Sequence, residues 1–176
     1  MAKWVIDKAH SEIGFEVRHM MVSKVRGRFN SYEAEIEADD LTNPTNASIS
    51  FTFDVASIDT KLEDRDNHLK SADFFDVEKY PTITFKSTNI QKKDDNVFEV
   101  TGDLTIKDVT KPVTFEVEFN GKGKNPWGVE VYGFEAHAKI NREDFGLTWN
   151  AALETGGVLV GKEVKIIAEL EVNPGN

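Results

Sequence analysis

The chain has 176 residues, with 21 Lys+Arg against 31 Asp+Glu for a formal charge of −10, no cysteine and 12 Phe. So acidic a chain repels phosphate backbones and anionic lipid surfaces, which argues against general nucleic-acid binding. The missing thiols exclude disulfide scaffolds, thiolate metal sites and a cysteine nucleophile, and the length suffices for one domain, residues 1–176, that buries its own core.

Met1-Ala2-Lys3 runs directly into Trp4-Val5-Ile6-Asp7, with no apolar leader and no small-residue cleavage site, so a cytoplasmic protein is expected. No apolar run approaches the ~20 residues of a membrane helix, so no stable membrane insertion is expected. From there the hydrophobic period is two. Ile13, Phe15 and Val17 alternate with charged neighbours, as do Tyr32, Ala34, Ile36 and Ala38, and then Ile49, Phe51, Phe53 and Val55. Successive strand side chains point to opposite faces, so each segment has one dry face and one wet one.

Residues 61–71 break the pattern. Thr60-Lys61-Leu62-Glu63 has the form of a capping box, with Thr60 as N-cap. In the short helix that follows, Leu62, Arg65, Asp66 and Leu69 share one face. The two leucines are expected to turn that face inward, carrying Arg65 and Asp66 with them. Phe74 and Phe75 follow as an apolar latch, and the whole reads as a lid.

Alternation then resumes: Ile83 and Phe85; Phe98, Val100, Leu104 and Ile106; Val113, Phe115, Val117 and Phe119; Phe134, Ala136, Ala138 and Ile140; and Val164, Ile166, Ala168, Leu170 and Val172. Polar breakers separate the runs at Asn43-Pro44-Thr45-Asn46, residues 92–96, residues 121–126 and Thr155-Gly156-Gly157. About eight such strands indicate an all-β antiparallel sandwich or barrel. Long runs over 26–38 and 129–140, joined by short turns, favour an up-and-down barrel.

The inward set is rich in Phe, Ile and Val, with Ala34, Ala38, Ala136, Ala138 and Ala168 among them. An eight-stranded barrel can fill its bore with side chains or hold one ligand, and the residues alone leave both open. If the bore is hollow, its apolar lining is expected to include Phe15, Val17, Phe51, Phe53, Phe85, Leu104, Phe115, Val117, Phe134 and Ile166.

The polar candidates are few. No pair among His10, His19, His68 and His137 has HxxxH or HExxH spacing, so no metal site is expected. His19 follows the parity of Phe15 and Val17 and should point inward; His137 should face solvent. Arg65 and Asp66 suit either an ion pair tying the lid to the rim or a ligand contact. Arg142, at a strand end, suits a turn-stabilising guanidinium. No GxSxG, GxGxxG or P-loop is present, and nothing marks a catalytic site or a cofactor.

Seven blocks carry a resemblance. They are Trp4-Val5-Ile6-Asp7 with His10-Ser11-Glu12-Ile13-Gly14-Phe15; Gly27-Arg28-Phe29; Ser57-Ile58-Asp59-Thr60; residues 65–76 from Arg65 to Asp76; Tyr80-Pro81-Thr82-Ile83-Thr84-Phe85; Gly102-Asp103-Leu104-Thr105-Ile106; and Ile140-Asn141-Arg142-Glu143-Asp144-Phe145-Gly146. In this order, over essentially the whole chain, they resemble the YceI-like family of polyisoprenoid-binding, lipocalin-like proteins. The resemblance implies an extended eight-stranded antiparallel β-barrel with a lid helix. It also implies an isoprenoid lipid ligand, a polyprenyl diphosphate or a prenylquinone, with its tail in the bore. It brings no catalytic residues. His19, Arg65 and Arg142 are the candidates for the head group, since guanidinium suits bidentate phosphate binding. The function expected is binding, sequestration or transport; the alternative is an enzyme acting on a prenyl lipid through polar residues at the barrel mouth. A closed barrel needs no strand-addition dimer, and a face-packed homodimer stays open.

Overall fold

The structure, a computed structural model, describes residues 2–20, 22–150 and 160–175. Eleven strand segments form one antiparallel sheet: β1 (Ala2–Ile6), β2 (Glu12–His19), β3 (Ser23–Phe29), β4 (Tyr32–Ala38), β5 (Ser48–Asp54), β6 (Ile58–Asp59), β7 (Thr82–Asp94), β8 (Val97–Ile106), β9 (Val109–Lys124), β10 (Glu130–Asn141) and β11 (Val160–Pro174). The order β1-β4-β5-β7-β8-β9-β10-β11 closes on itself through a β1–β11 pairing, giving an eight-stranded barrel. The expected fold is therefore observed. The last strand, β11, is shared: Val172 to Pro174 pair with β1, and the stretch from Val160 to Glu169 pairs with β2.

The expected continuous strand over 26–38 is broken. β3 ends at Phe29 and β4 starts at Tyr32 because the backbone between them bonds elsewhere: Asn30 N–H donates to Ser57 C=O at 3.2 Å, Ser31 N–H to Ser57 Oγ at 3.0 Å, and Ser31 C=O accepts from Asp54 N–H at 3.0 Å. The partner stretch is itself broken by a 3-10 turn over Val55–Ser57 between β5 and β6. A third break, the 3-10 turn Lys8–His10, divides β1 from β2. The expected long run near 129–140 is observed as β10. The expected Thr155-Gly156-Gly157 breaker lies outside the described residues.

The breaks divide the tube into two levels. At one end lie the ring closure, the β7–β8 turn and the β9–β10 turn. The other end carries the β2–β3 turn, the β8–β9 turn and the segment between β6 and β7. At this second end, among the described residues, β6 pairs only with β3, and β9 parts from β10 beyond the Glu116↔His137 pair. α1 (Glu63–Lys70) sits in the first of these gaps, bonded through Asp66 to Thr60 beside β6, with Phe75 of its latch against Phe29 of β3.

The Lys8–His10 break is stapled on the outer face. Asp7 accepts from Ala9 N–H at 3.0 Å, and His10 Nδ1 lies 2.8 Å from Asp7 Oδ2 and 3.2 Å from Glu171 Oε2. The hydrogen bond to Asp7, and then its charge, raise His10 above the usual 6.5; the same bond lowers Asp7 below 3.8. The histidine's contribution is complete below pH 6.5 and is lost as pH rises through its raised folded value. The aspartate's is present above 3.8 and lost as pH falls through its lowered one. The staple is thus whole between those limits. We expect an NMR titration of His10 to give a midpoint above 6.5, and Asp7→Asn to bring it back toward that value; a wild-type midpoint at or below 6.5 refutes the staple.

Candidate functional site

The inward parity does not close-pack. Phe98 and Val172 are fully buried, yet Phe15, Phe51, Phe53, Phe115, Val117 and Ile166, on the same inner face, are only partly buried. A side chain can point inward and remain accessible only if the interior is open. The buried residues accordingly divide into two clusters, one around Phe85, Phe98 and Leu104 and one around Ile36, Tyr132 and Phe134. Between them runs a cavity of about 510 Å³ with an almost wholly apolar wall.

Every expected lining residue reaches this cavity: Phe15, Val17, Phe51, Phe53, Phe85, Leu104, Phe115, Val117, Phe134 and Ile166. Small residues keep the bore wide, with Ala136 opposite Ala168 across β10 and β11. Two glycines serve the same end by letting aromatic rings lie flat on the wall. A Cβ on Gly27 would stand 2.4 Å from Phe15 Cζ, and one on Gly102 2.5 Å from Phe85 Cζ. The rings form a continuous band, with Phe51 stacked on Phe53 at 5.7 Å and Phe53 leading through Phe29 to Phe15 and Phe75.

Among the described lining residues, the charged and imidazole side chains lie at the α1 end. His19, Arg65 and Arg142 all border the cavity there, with His68 and the exposed Arg18 and Asp64. Those last two are the exposed members of the lining, so this end is the mouth.

Arg65 and Asp66 do not pair with each other. Both hold Thr60, which is buried. Arg65 Nε donates to Thr60 Oγ1 at 2.8 Å and Nη2 to its carbonyl at 2.7 Å; Thr60 N–H and hydroxyl donate to Asp66 Oδ1 at 2.9 and 2.5 Å. Thr60 is therefore a clasp and not the expected N-cap. The cap position falls to Leu62, which makes no side-chain cap bond and stands 52% exposed, so the expected inward pair of leucines reduces to Leu69. The reason is local: Lys61 takes a left-handed φ of 67°, which turns the chain before the helix starts. The Phe74–Phe75 latch forms as expected. Phe74 packs on Trp149 at 5.4 Å, and His68 meets Trp149 edge-on at 4.6 Å while bonding Asp73 at 2.9 Å.

Arg142 is 3% exposed. Nε donates to Gly161 C=O at 2.8 Å, Nη1 to Leu147 C=O at 2.5 Å and Nη2 to Val160 C=O at 3.3 Å. It ties the turn after β10 to the start of β11, as its turn-stabilising role requires. Burial lowers its pKa, and among the described residues no carboxylate lies in ion-pair range of it. Two of its five N–H groups stay unspent in these bonds. His137 faces solvent as expected and pairs with Glu116 at 3.2 Å.

Sequence reasoning missed Trp149 and His68 at the mouth. Leu147-Thr148-Trp149 carries one short apolar alternation that could have flagged the first. It also could not bring Glu171 to Asp7 and His10; their ligand-type atoms lie within 4.8 Å of one another, a spacing a metal ion could bridge, and the imidazole bridges the carboxylates itself. Among the described residues no helix is long and apolar enough to cross a membrane.

A family profile for the YceI-like domain matches residues 4–172. A UPF0312 protein of Staphylococcus epidermidis is 45% identical over 177 aligned positions, covering 100% of both chains. Among solved structures, BcnA of Burkholderia cenocepacia superposes with a TM-score of 0.82 at 28% identity, over 95% of this chain and 99% of its own. A polyisoprenoid-binding domain from Saccharophagus degradans, implicated in plant cell wall breakdown, gives 0.70 at 11% identity over 99% and 100%, a likeness of fold.

Proposed function

The chain belongs to the YceI-like domain family, and from that membership and its hollow barrel we propose that it binds, sequesters or transports a long-chain amphiphilic isoprenoid, a polyprenyl diphosphate or a prenylquinone. The observation that carries this reading is the 510 Å³ apolar bore lined by partly buried phenylalanines. Burial gains about 25 cal/mol per Å² of apolar surface, so a prenyl tail of several hundred Å² has ample driving force to enter. The Saccharophagus degradans domain of the same fold adds support, being described as polyisoprenoid-binding.

The tail lies along Phe15, Phe51, Phe53, Phe115 and Ile166, and the head group stays at the mouth beside His19, Arg65 and Arg142. Two guanidiniums with N–H groups left over suit phosphate or quinone oxygens. No chemical step is needed: residues 1–176 act as a single lipid-binding unit, in the cytoplasm, and not as an enzyme.

Organic extraction of the purified protein followed by mass spectrometry tests this. A co-purifying prenyl lipid and saturable prenol binding are expected. Recovery of none, with no saturable binding of added prenol, refutes the carrier.

A further inference from the structure

We propose that the β2–β3 turn is a membrane-docking tip that seats the mouth of the barrel on an anionic bilayer, and this rests on the carrier reading above. The tip's apolar residues, Met20 and Val22, lie outside the cavity wall. Met20 is 44% and Val22 82% exposed, at a turn closed by Val22 N–H donating to His19 C=O at 3.2 Å. Turns of this kind favour Gly or Asn, above all where φ is positive. Here Met20 holds φ 53°, so the position keeps an apolar side chain against its local preference. Such a departure from turn chemistry points to a use for the side chain.

The same hairpin is net positive. In a chain of net −10, β2 and β3 with their turn carry Arg18, Lys24, Arg26 and Arg28 against two acids, Glu12 and Glu16, both farther from the turn than Arg18 on β2. Lys24 and Arg26 share a single carboxylate, Glu16, at 2.9 and 3.8 Å, and Arg28 reaches Glu12 at 3.8 Å. Arg18 makes no ion pair among the described residues, and it borders the mouth. An apolar tip above basic residues is the pattern that inserts between anionic head groups.

Position selects this tip over the other exposed one. Trp127 is 83% exposed on the β9–β10 turn, but that turn lies at the end where the ladder closes and where, among the described residues, no exposed one borders the cavity. The Met20–Val22 turn follows directly on His19, which lines the cavity, so a lipid leaving the bilayer there meets the bore without crossing water.

Cosedimentation with phosphatidylcholine vesicles containing one-third phosphatidylglycerol tests the proposal. The wild type should bind these vesicles, release them at high salt, and bind pure phosphatidylcholine weakly. Val22→Asp should lower the bound fraction about tenfold or more, Arg18→Glu with Arg26→Glu should do likewise, and Trp127→Asp should change nothing. Near-UV circular dichroism identifies any variant that has not folded, and the double charge variant serves if Val22→Asp fails that check. The proposal is overturned if the wild type does not sediment, if folded Val22→Asp still does, or if the substitution changes only the oligomeric state. Geranylgeraniol binding measured without vesicles separates the two readings: intact binding with no docking overturns the tip alone, whereas absent binding overturns the carrier.

Discussion

Ala136→Trp leaves the barrel folded and closes it to a prenyl tail. Ala136 faces the bore at mid-length, opposite Ala168 and Val117 on the flanking strands. In a packed core an added indole would cost about 1–3 kcal/mol through strain. Here it enters open space, so the melting temperature should move by only a few degrees. The effect falls on the ligand. A tail burying ~300 Å² gains roughly 7 kcal/mol at about 25 cal/mol per Å². Blocking half the bore removes about half of that, a loss of at least ~100-fold in affinity. Fluorescent prenol titration of the folded variant is the measurement. Unchanged affinity would place the tail outside the bore and defeat the carrier.

Arg142→Met should be the most destabilising single change near the mouth. The guanidinium satisfies the carbonyls of Leu147, Val160 and Gly161 from a buried position. Its removal strands three acceptors, each costing about 1–3 kcal/mol. Relief of the buried charge offsets part of this, since that charge has no carboxylate partner among the described residues, and a net loss of about 3–5 kcal/mol remains. At roughly 2–4 °C per kcal/mol for a chain of this size, melting should fall by about 10 °C. Arg142→Lys should rescue little, because an ammonium on a flexible stem cannot span three carbonyls. A variant melting within two or three degrees of the wild type would show that the turn is held by other means.

The period-two pattern was enough for an antiparallel all-β fold, since parity decides which face each strand shows the core; the choice of barrel over sandwich rested on long runs, of which 129–140 forms one strand and 26–38 does not. The strand breaks were also written there, in a subtler form. Inward positions are odd through Val25, Gly27 and Phe29 and even from Tyr32 to Ala38. They are odd through Ile49, Phe51 and Phe53, and even at Ile58. Each switch of parity marks a point where the chain must kink to keep its apolar side inward. The hollow was not legible. Parity tells which way Phe51 points but not whether anything stands opposite it, and that depends on how the ring closes. At the mouth, residue types suggested Arg65, Asp66 and Arg142, but their partners are a threonine and backbone carbonyls brought close only by folding. The capping-box pattern misled for a related reason: Thr60 has its hydroxyl committed to Arg65 and Asp66, and Lys61 turns the chain before the helix begins.

The segment over the mouth is a selvedge as well as a stopper. Among the described residues β6 has a neighbour on one side only, and α1 sits against it, with Asp66 bonding the Thr60 backbone at its end, so the segment shields raw β-edge, the kind of edge on which foreign strands add. On the carrier reading, lifting the segment to admit a tail would also bare a surface prone to self-association. Deleting the segment should yield a protein that clumps rather than one that loads faster.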